Sequence, residues 1–266
     1  MRRPNGKGGA TAAVAAAVCI VSGGLDSICY AAILGKKFDE LYMITFAYGQ
    51  RAKREVSQAR RFSKVLGAKD HRVVDIGFMK SLYGNSNSLT DTGQPMAEKF
   101  DQSLVVPVRN AVFITIASAW AMTIGAKAVA YGAHTGDIAS YADCRPEFAE
   151  SLGRALNLAE SDGISSGLRQ RVEIMSPAID GLDKAALIRA GYEILGDRIF
   201  QTWSCYTNGM KQGGETLHCG RCESCINRKA AFLSAQVEDK TRYAENRTRK
   251  GNKAGKAQRD FHKRRG

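Results

Sequence analysis

Apolar residues fall along the chain at two alternating spacings. Residues 16–21, AAVCIV, are continuously apolar over a short run, which predicts a buried strand, although alanine is a weak strand former. Residues 26–35 then follow helical spacing and stop at Gly35. The alternation continues with a strand at 40–46 and an amphipathic helix at 52–67 that carries Val56, Ala59, Phe62 and Leu66 on one side. A strand at 71–76 precedes a polar, irregular stretch at 80–104, longer than most connections and of the kind that forms lids or binding loops. Beyond it come a largely apolar helix at 110–125, a strand at 126–133, and a helix at 146–160 with Pro146 in its first turn. The last pair is a strand at 171–176 and a helix at 183–195, with Asp183 as its N-cap.

Five strands interleaved with helices predict an α/β fold, a Rossmann-like parallel sheet with helices on both faces. The order of the strands is not legible at this level. After residue 200 the pattern changes to Cys, Gly and polar residues, then one helix, then a basic tail. The expected organisation is a flexible lead over 1–14, the main domain over 15–200, a small helical region over 201–238 and a disordered tail over 239–266.

Composition changes this picture in two places. The formal charge is +13, but residues 240–266 alone hold 11 of the 39 Lys and Arg and only 2 of the 26 acids. The body is therefore mildly basic. The tail reads either as a solvating charge run or as a weak, salt-sensitive contact to nucleic-acid phosphates. Its two aromatics, Tyr243 and Phe261, give little support for base stacking. Arg2, Arg3 and Lys7 before the apolar run 12–21 superficially match a secretory signal. That run is too short to span a bilayer and leads straight into a glycine turn, so cleavage would remove the strand that presents the turn. No other segment reads as transmembrane, and a reducing, cytoplasmic setting without a membrane partner is the expectation.

The turn is Ser22-Gly23-Gly24-Leu25-Asp26-Ser27, at the carboxyl end of the first strand and the start of the first helix. Ligands of open parallel sheets bind at that end. The glycines let the backbone approach a ligand, the helix N-terminus favours phosphate, and the two hydroxyls can donate to phosphate oxygens. Asp26 cannot bind phosphate directly; it suits a helix cap or Mg2+. The pattern lacks the Walker Lys-Ser/Thr and the dinucleotide glycine spacing, and an ordinary strand-to-helix turn has the same local look.

Cys205, Cys219, Cys222 and Cys225 form the second constellation, with two successive Cys-x-x-Cys steps in a glycine-rich stretch. Four thiolates suit one tetrahedral, closed and therefore structural Zn2+. An iron–sulfur cluster and a redox Cys-x-x-Cys are the competing readings. Cys19 and Cys29 lie on apolar segments and read as core.

The turn resembles the pyrophosphate loop of the N-type ATP pyrophosphatases, which have an adenine nucleotide alpha hydrolase-like fold and transfer AMP to a substrate oxygen. Tyr48-Gly-Gln-Arg51, Val106-Pro-Val-Arg-Asn110, the stretches 136–148 and 203–206, and the cysteine segment 219–232 are similar to the 7-cyano-7-deazaguanine synthase family. The resemblance implies an ATP-dependent carbon–nitrogen ligase that converts 7-carboxy-7-deazaguanine and ammonia to the nitrile preQ0 in queuosine biosynthesis. Ser22, Asp26 and Ser27 would be catalytic, and Ser22 to Ser27 would bind ATP with Mg2+. Cys205, Cys219, Cys222 and Cys225 would hold zinc. Arg109, Asn110, Asp137, Tyr141, Asp143 and Arg145 would contact substrate or phosphate, surface ion pairs and helix caps being their alternative use. A homodimer is implied as well. A PP-loop enzyme that adenylates a base or deazapurine in tRNA or DNA, for sulfur or nitrogen insertion, is the alternative. So is a zinc-ribbon nucleic-acid-binding module fused to an inactive nucleotide domain. Three departures stand out: Ala52 where the family usually has His, Val108 where it usually has Gly, and a longer gap of 13 residues between Cys205 and Cys219.

Overall fold

The structure is a computed structural model and describes residues 14–91 and 93–244. Strand β1 (Ala16–Ile20) lies at the centre of a parallel sheet. On one side it pairs with β2 (Glu40–Ala47), which carries β3 (Asp70–Asp75) at the edge. On the other side it pairs with β4 (Ala128–Ala130), followed by β5 (Glu173–Met175), so the order is 3-2-1-4-5. Val18 stands between Tyr42 and Val129 in this register. The winding reverses direction at β1, which makes the end of that strand the topological switch point.

Side chains alternate between the two faces of the sheet. Ala17, Cys19, Leu41 and Met43 face a core built with α1 (Leu25–Leu34) and α2 (Arg54–Val65). Val18, Ile44, Phe46 and Val129 face the opposite core. That second core is closed by α4 (Arg109–Ile124) and α5 (Pro146–Ala159). Between β3 and α4 the described residues make the short α3 (Met79–Tyr83), a 3-10 turn at Gln102–Leu104 and irregular turns, and α5 is followed by the short α6 (Ser161–Ser165). Neither short helix was legible in the apolar spacing, since one turn has no periodicity. The run Gln102–Ile124 is by length and composition apolar enough to cross a membrane. Its helical part, α4, instead lies on the sheet, with Trp120 edge-on to Tyr42 at 5.7 Å and Phe113 stacked on Phe46 at 4.3 Å.

Helix α7 (Lys184–Leu195) begins where expected: the Asp183 carboxylate accepts from the Ala186 N–H at 2.7 Å. It packs on α1 through Gly191, where a β-carbon would come within 2.4 Å of Cys29 Sγ. The two Gly of the run 210–217 are a hairpin turn that the spacing analysis missed. Gly213 and Gly214 have φ of 59° and 79° and join β6 (Met210–Gln212) to β7 (Glu215–Leu217), as a two-residue primed turn requires.

The last helix, α8 (Glu223–Ala235), is not a separate layer. Ala231, Phe232 and Ala235 share one buried cluster with Leu187 and Ile188 of α7 and with α1. Residues 239–244, expected within a disordered tail, are also built in. Thr241 accepts from the Arg228 guanidinium at 3.0 Å, and Tyr243 bridges to His218. The expected flexible lead, apart from Val14, and the tail beyond residue 244 lie outside the described residues.

Candidate active site

The turn after β1 folds onto itself through its hydroxyls. Ser22 Oγ accepts from the Gly24 N–H at 3.1 Å and lies 3.3 Å from Ser27 Oγ. Gly23 has φ of 85°, and a β-carbon there would come within 2.4 Å of the Glu55 carbonyl oxygen on α2. Glycine is thus required twice over, by conformation and by space. Gly132, just past β4, is required by space alone: its β-carbon would lie 2.9 Å from the Ser27 backbone. Sequence reasoning did not single it out, because only the packing of β4 against the turn makes it special.

Asp26 points back from α1 toward α7, where Lys184 Nζ lies 2.9 Å from Oδ2. Burial pushes the Asp26 carboxyl up, but the charges of Lys184, His134 and Arg228 outweigh it and hold the group below its ordinary value. Its second oxygen, Oδ1, is buried without a hydrogen-bond partner. Nearby, Asp137 accepts from the His134 N–H at 3.0 Å, and burial holds its carboxyl above the usual range. Lys184 escaped sequence reasoning. Its signal is weak, a lysine at the first position of a helix, and its partner lies 158 residues away.

These groups line one wall of a cavity of about 840 Å³ at the carboxyl end of the sheet. Ser22, Gly24, Leu25, Asp26, Ser27, Arg109, Asn110, Asp137 and Tyr141, all singled out from sequence, line it together. Gly23 sits behind the turn against α2. Asp143 and Arg145 are not on the wall. Asp143 faces the Asn110 N–H at 3.4 Å, and Arg145 Nε donates to the Ile138 carbonyl at 3.1 Å, so both brace the segment that carries Tyr141. Arg109 reaches Tyr48, its guanidinium 3.4 Å from the phenol oxygen. Leu89, Phe100 and Leu104, from the stretch between α3 and α4, also line the cavity.

Val108, the residue before α4, has φ of 49°. A β-branched residue in the left-handed region is strained, so the chain keeps there a conformation that glycine adopts freely. Ala52 is buried against Trp203 and the cysteines. The position where the family usually has His is here an apolar contact.

The four predicted cysteines converge. Their sulfurs lie within 4.8 Å of one another, and Cys219 Sγ and Cys225 Sγ are 3.9 Å apart. Four sulfurs about 2.3 Å from one ion have tetrahedral edges of about 3.8 Å, so the donor set fits a closed metal site. Hydrogen bonds from the other three thiols hold Cys219 well below the ordinary thiol value. His218 is not among the ligands: its Nε2 accepts from the Ser204 N–H at 3.2 Å and its ring packs on Trp203 at 4.3 Å. The cluster is tied to the turn, because the Trp203 N–H donates to the Gly23 carbonyl at 2.8 Å.

A parallel sheet with a hydroxyl-and-glycine turn at its switch point, opening on a ligand-sized cavity, is the arrangement of an α/β nucleotide-binding protein. The chain belongs to the family described as queuosine biosynthesis protein QueC, whose family model matches residues 16–236. It is 36% identical over 233 residues to the 7-cyano-7-deazaguanine synthase of Desulfatibacillum aliphaticivorans, covering 85% of this chain and 96% of that one. It is 39% identical over 232 residues to that of Legionella pneumophila subsp. pneumophila, with the same coverage of 85% and 96%. Among solved structures it is similar to NMN synthetase from Francisella tularensis, 11% identical with a TM-score of 0.44, over 85% of this chain and 79% of that one.

Proposed function

We propose that the chain is a 7-cyano-7-deazaguanine synthase, a carbon–nitrogen ligase that uses ATP to turn a carboxylate and ammonia into a nitrile. The observation that carries this reading is one cavity shared by the Ser22–Ser27 turn and by Arg109 and Tyr141, in a chain of the QueC family. A carboxylate resists ammonia because its oxygen is a poor leaving group. Transfer of AMP to that oxygen gives ammonia a carbon to attack and makes AMP the leaving group. The resulting amide is activated in the same way, and loss of AMP with two protons leaves the nitrile. Two ATP thus become two AMP and two pyrophosphate, and one site serves both rounds.

In this reading the hydroxyls of Ser22 and Ser27 and the free N–H groups at the start of α1 hold the β- and γ-phosphates. They stabilise the charge that develops on the leaving pyrophosphate. Lys184 adds a fixed positive charge there. Mg2+ bound to phosphates neutralises charge, and the unpartnered Asp26 Oδ1 is the atom that can hold it. Arg109 is a fork suited to the carboxylate or the α-phosphate, and Asn110, Asp137 and Tyr141 complete the substrate side. The four-cysteine cluster binds one structural Zn2+, which elemental analysis of the purified protein checks. A homodimer, tested by sedimentation, and a weak nucleic-acid contact through the tail complete the proposal.

The test is incubation with ATP, Mg2+, ammonia and 7-carboxy-7-deazaguanine, followed by mass analysis. The expected products are the nitrile and AMP. AMP released only when tRNA or DNA is present would overturn the reading in favour of a nucleic-acid substrate.

A further inference from the structure

Ammonia that attacks an acyl adenylate becomes a positively charged nitrogen. Unless it loses a proton, the amine leaves again in preference to AMP. The second round sheds two more N–H protons. The site therefore needs a base, and the cavity offers several carboxylates. Asp26 is paired with Lys184, Asp137 accepts from the His134 backbone, Asp183 caps α7, and Glu223 accepts from Asn227. Glu98 is exposed on the stretch between α3 and α4. The His134 ring is paired with Asp137, its Nδ1 3.5 Å from Oδ2.

Glu55 is different. It lines the cavity from the first turn of α2, and it has neither a hydrogen bond from its carboxyl nor an ion pair among the described residues. Its backbone abuts Gly23 of the turn. Arg109 of α4 is the cation whose field it feels. Glu55 thus shares one cavity with the pyrophosphate turn and the arginine fork.

We infer that Glu55 is the general base of nitrogen transfer, accepting the proton of attacking ammonia in the first round and an amide proton in the second. This rests on the ligase reading above. In the first round the nitrogen lone pair forms the C–N bond and one N–H proton passes to the Glu55 carboxylate. The C–O bond then breaks, with its electron pair leaving on AMP. After Glu55 has returned that proton to water, the amide oxygen attacks the α-phosphorus of a second ATP and pyrophosphate leaves. One N–H proton goes to Glu55 and the other to water. The nitrogen electrons close the triple bond as AMP departs.

The surroundings suit the task. Burial raises the Glu55 carboxyl to about 8, with Arg109 opposing and the Cys205 sulfur adding to the rise. Tyr48 and Arg51, from the loop after β2, together with Lys99, Tyr141 and Tyr206, are further titratable groups lining the cavity. A base is most effective when its pKa lies near the working pH.

The experiment compares two rates in Glu55→Gln. Substrate-dependent exchange of labelled pyrophosphate into ATP reads adenylation, and mass analysis reads amide and nitrile. Exchange persists, while amide and nitrile formation fall about 10²- to 10⁴-fold, the usual worth of a general base. Amide formation at the wild-type rate overturns the inference and leaves the ligase reading intact. An equal fall in both rates marks a structural role and overturns it as well. Should Glu55→Gln fail to fold, by its melting curve, the same split is read on Glu55→Asp, whose shorter reach slows nitrogen transfer and spares exchange. A wild-type protein with no substrate-dependent AMP would sink the ligase reading itself.

Discussion

Asp26 keeps its charge in a partly buried position because Lys184 lies 2.9 Å away. Removing one partner of such a pair leaves the other uncompensated, at a cost below the roughly 3–5 kcal/mol of a fully buried pair. Lys184→Met is therefore expected to destabilise the protein more than the double change with Asp26→Asn, and denaturant melts of the cycle measure the coupling. Both variants lose adenylation, by about 10²- to 10³-fold if Lys184 serves the pyrophosphate as one oriented donor does elsewhere. The pH dependence has a definite sign. The Asp26 carboxyl is held below its unfolded value of about 3.9, so its stabilisation is complete above that pH. It is lost as pH falls through the lower folded value, and Asp26→Asn flattens that part of the acid melting curve. At this scale the sequence was legible wherever a group acts with its neighbours in the chain. Ser22 to Ser27 and the three clustered cysteines are of that kind. Lys184, Gly132 and Glu55 act across the fold, and nothing adjacent to them announces it.

At the scale of elements, the cysteine segment is a brace for the turn. It contains few apolar side chains, yet it presents Trp203, whose backbone N–H holds Gly23. The buried Arg228 guanidinium of α8 stitches the same stretch, donating to Thr202 Oγ1 at 2.8 Å, Ser204 Oγ at 2.9 Å and Thr241 Oγ1 at 3.0 Å. These bonds satisfy a charge that would otherwise be costly to bury. Stripping the metal with a strong chelator is therefore expected to lower the melting temperature by roughly 10 °C or more. The same treatment weakens ATP binding, read by calorimetry on the intact chain, although no cysteine lines the turn. Unchanged ATP affinity after complete metal removal would contradict the brace. Helices and strands of the main sheet were legible to within a few residues, because each repeats its apolar spacing over several turns or pleats. The one-turn α3 and α6 and the β6–β7 hairpin were not, since three to five residues carry no period.

At the scale of the molecule, the division expected at residue 200 does not describe how the core is shared. Phe232 is fully buried in the cluster of α1 and α7, and Trp203 is bonded to the turn. A chain ending at residue 200 would expose that surface; burial of one Phe alone is worth about 1.5–3 kcal/mol. Such a truncation is expected to be insoluble or to melt without a cooperative transition, and a sharp melt like that of the whole chain would show that 15–200 is self-sufficient. The alternation of strand and helix determined the α/β class and the position of the turn at the end of β1, and the Cys-x-x-Cys spacing determined the identity of the cysteine set. Each depends on residues near one another in the chain. Only the tertiary structure decided the strand order 3-2-1-4-5, and with it the switch point at β1. It alone brought Lys184 to Asp26 and Glu55 beside the turn, and turned Asp143 and Arg145 away from the cavity. Pairings between distant strands and helices are selected by how whole faces pack, and that information is spread over the chain rather than written at any one place.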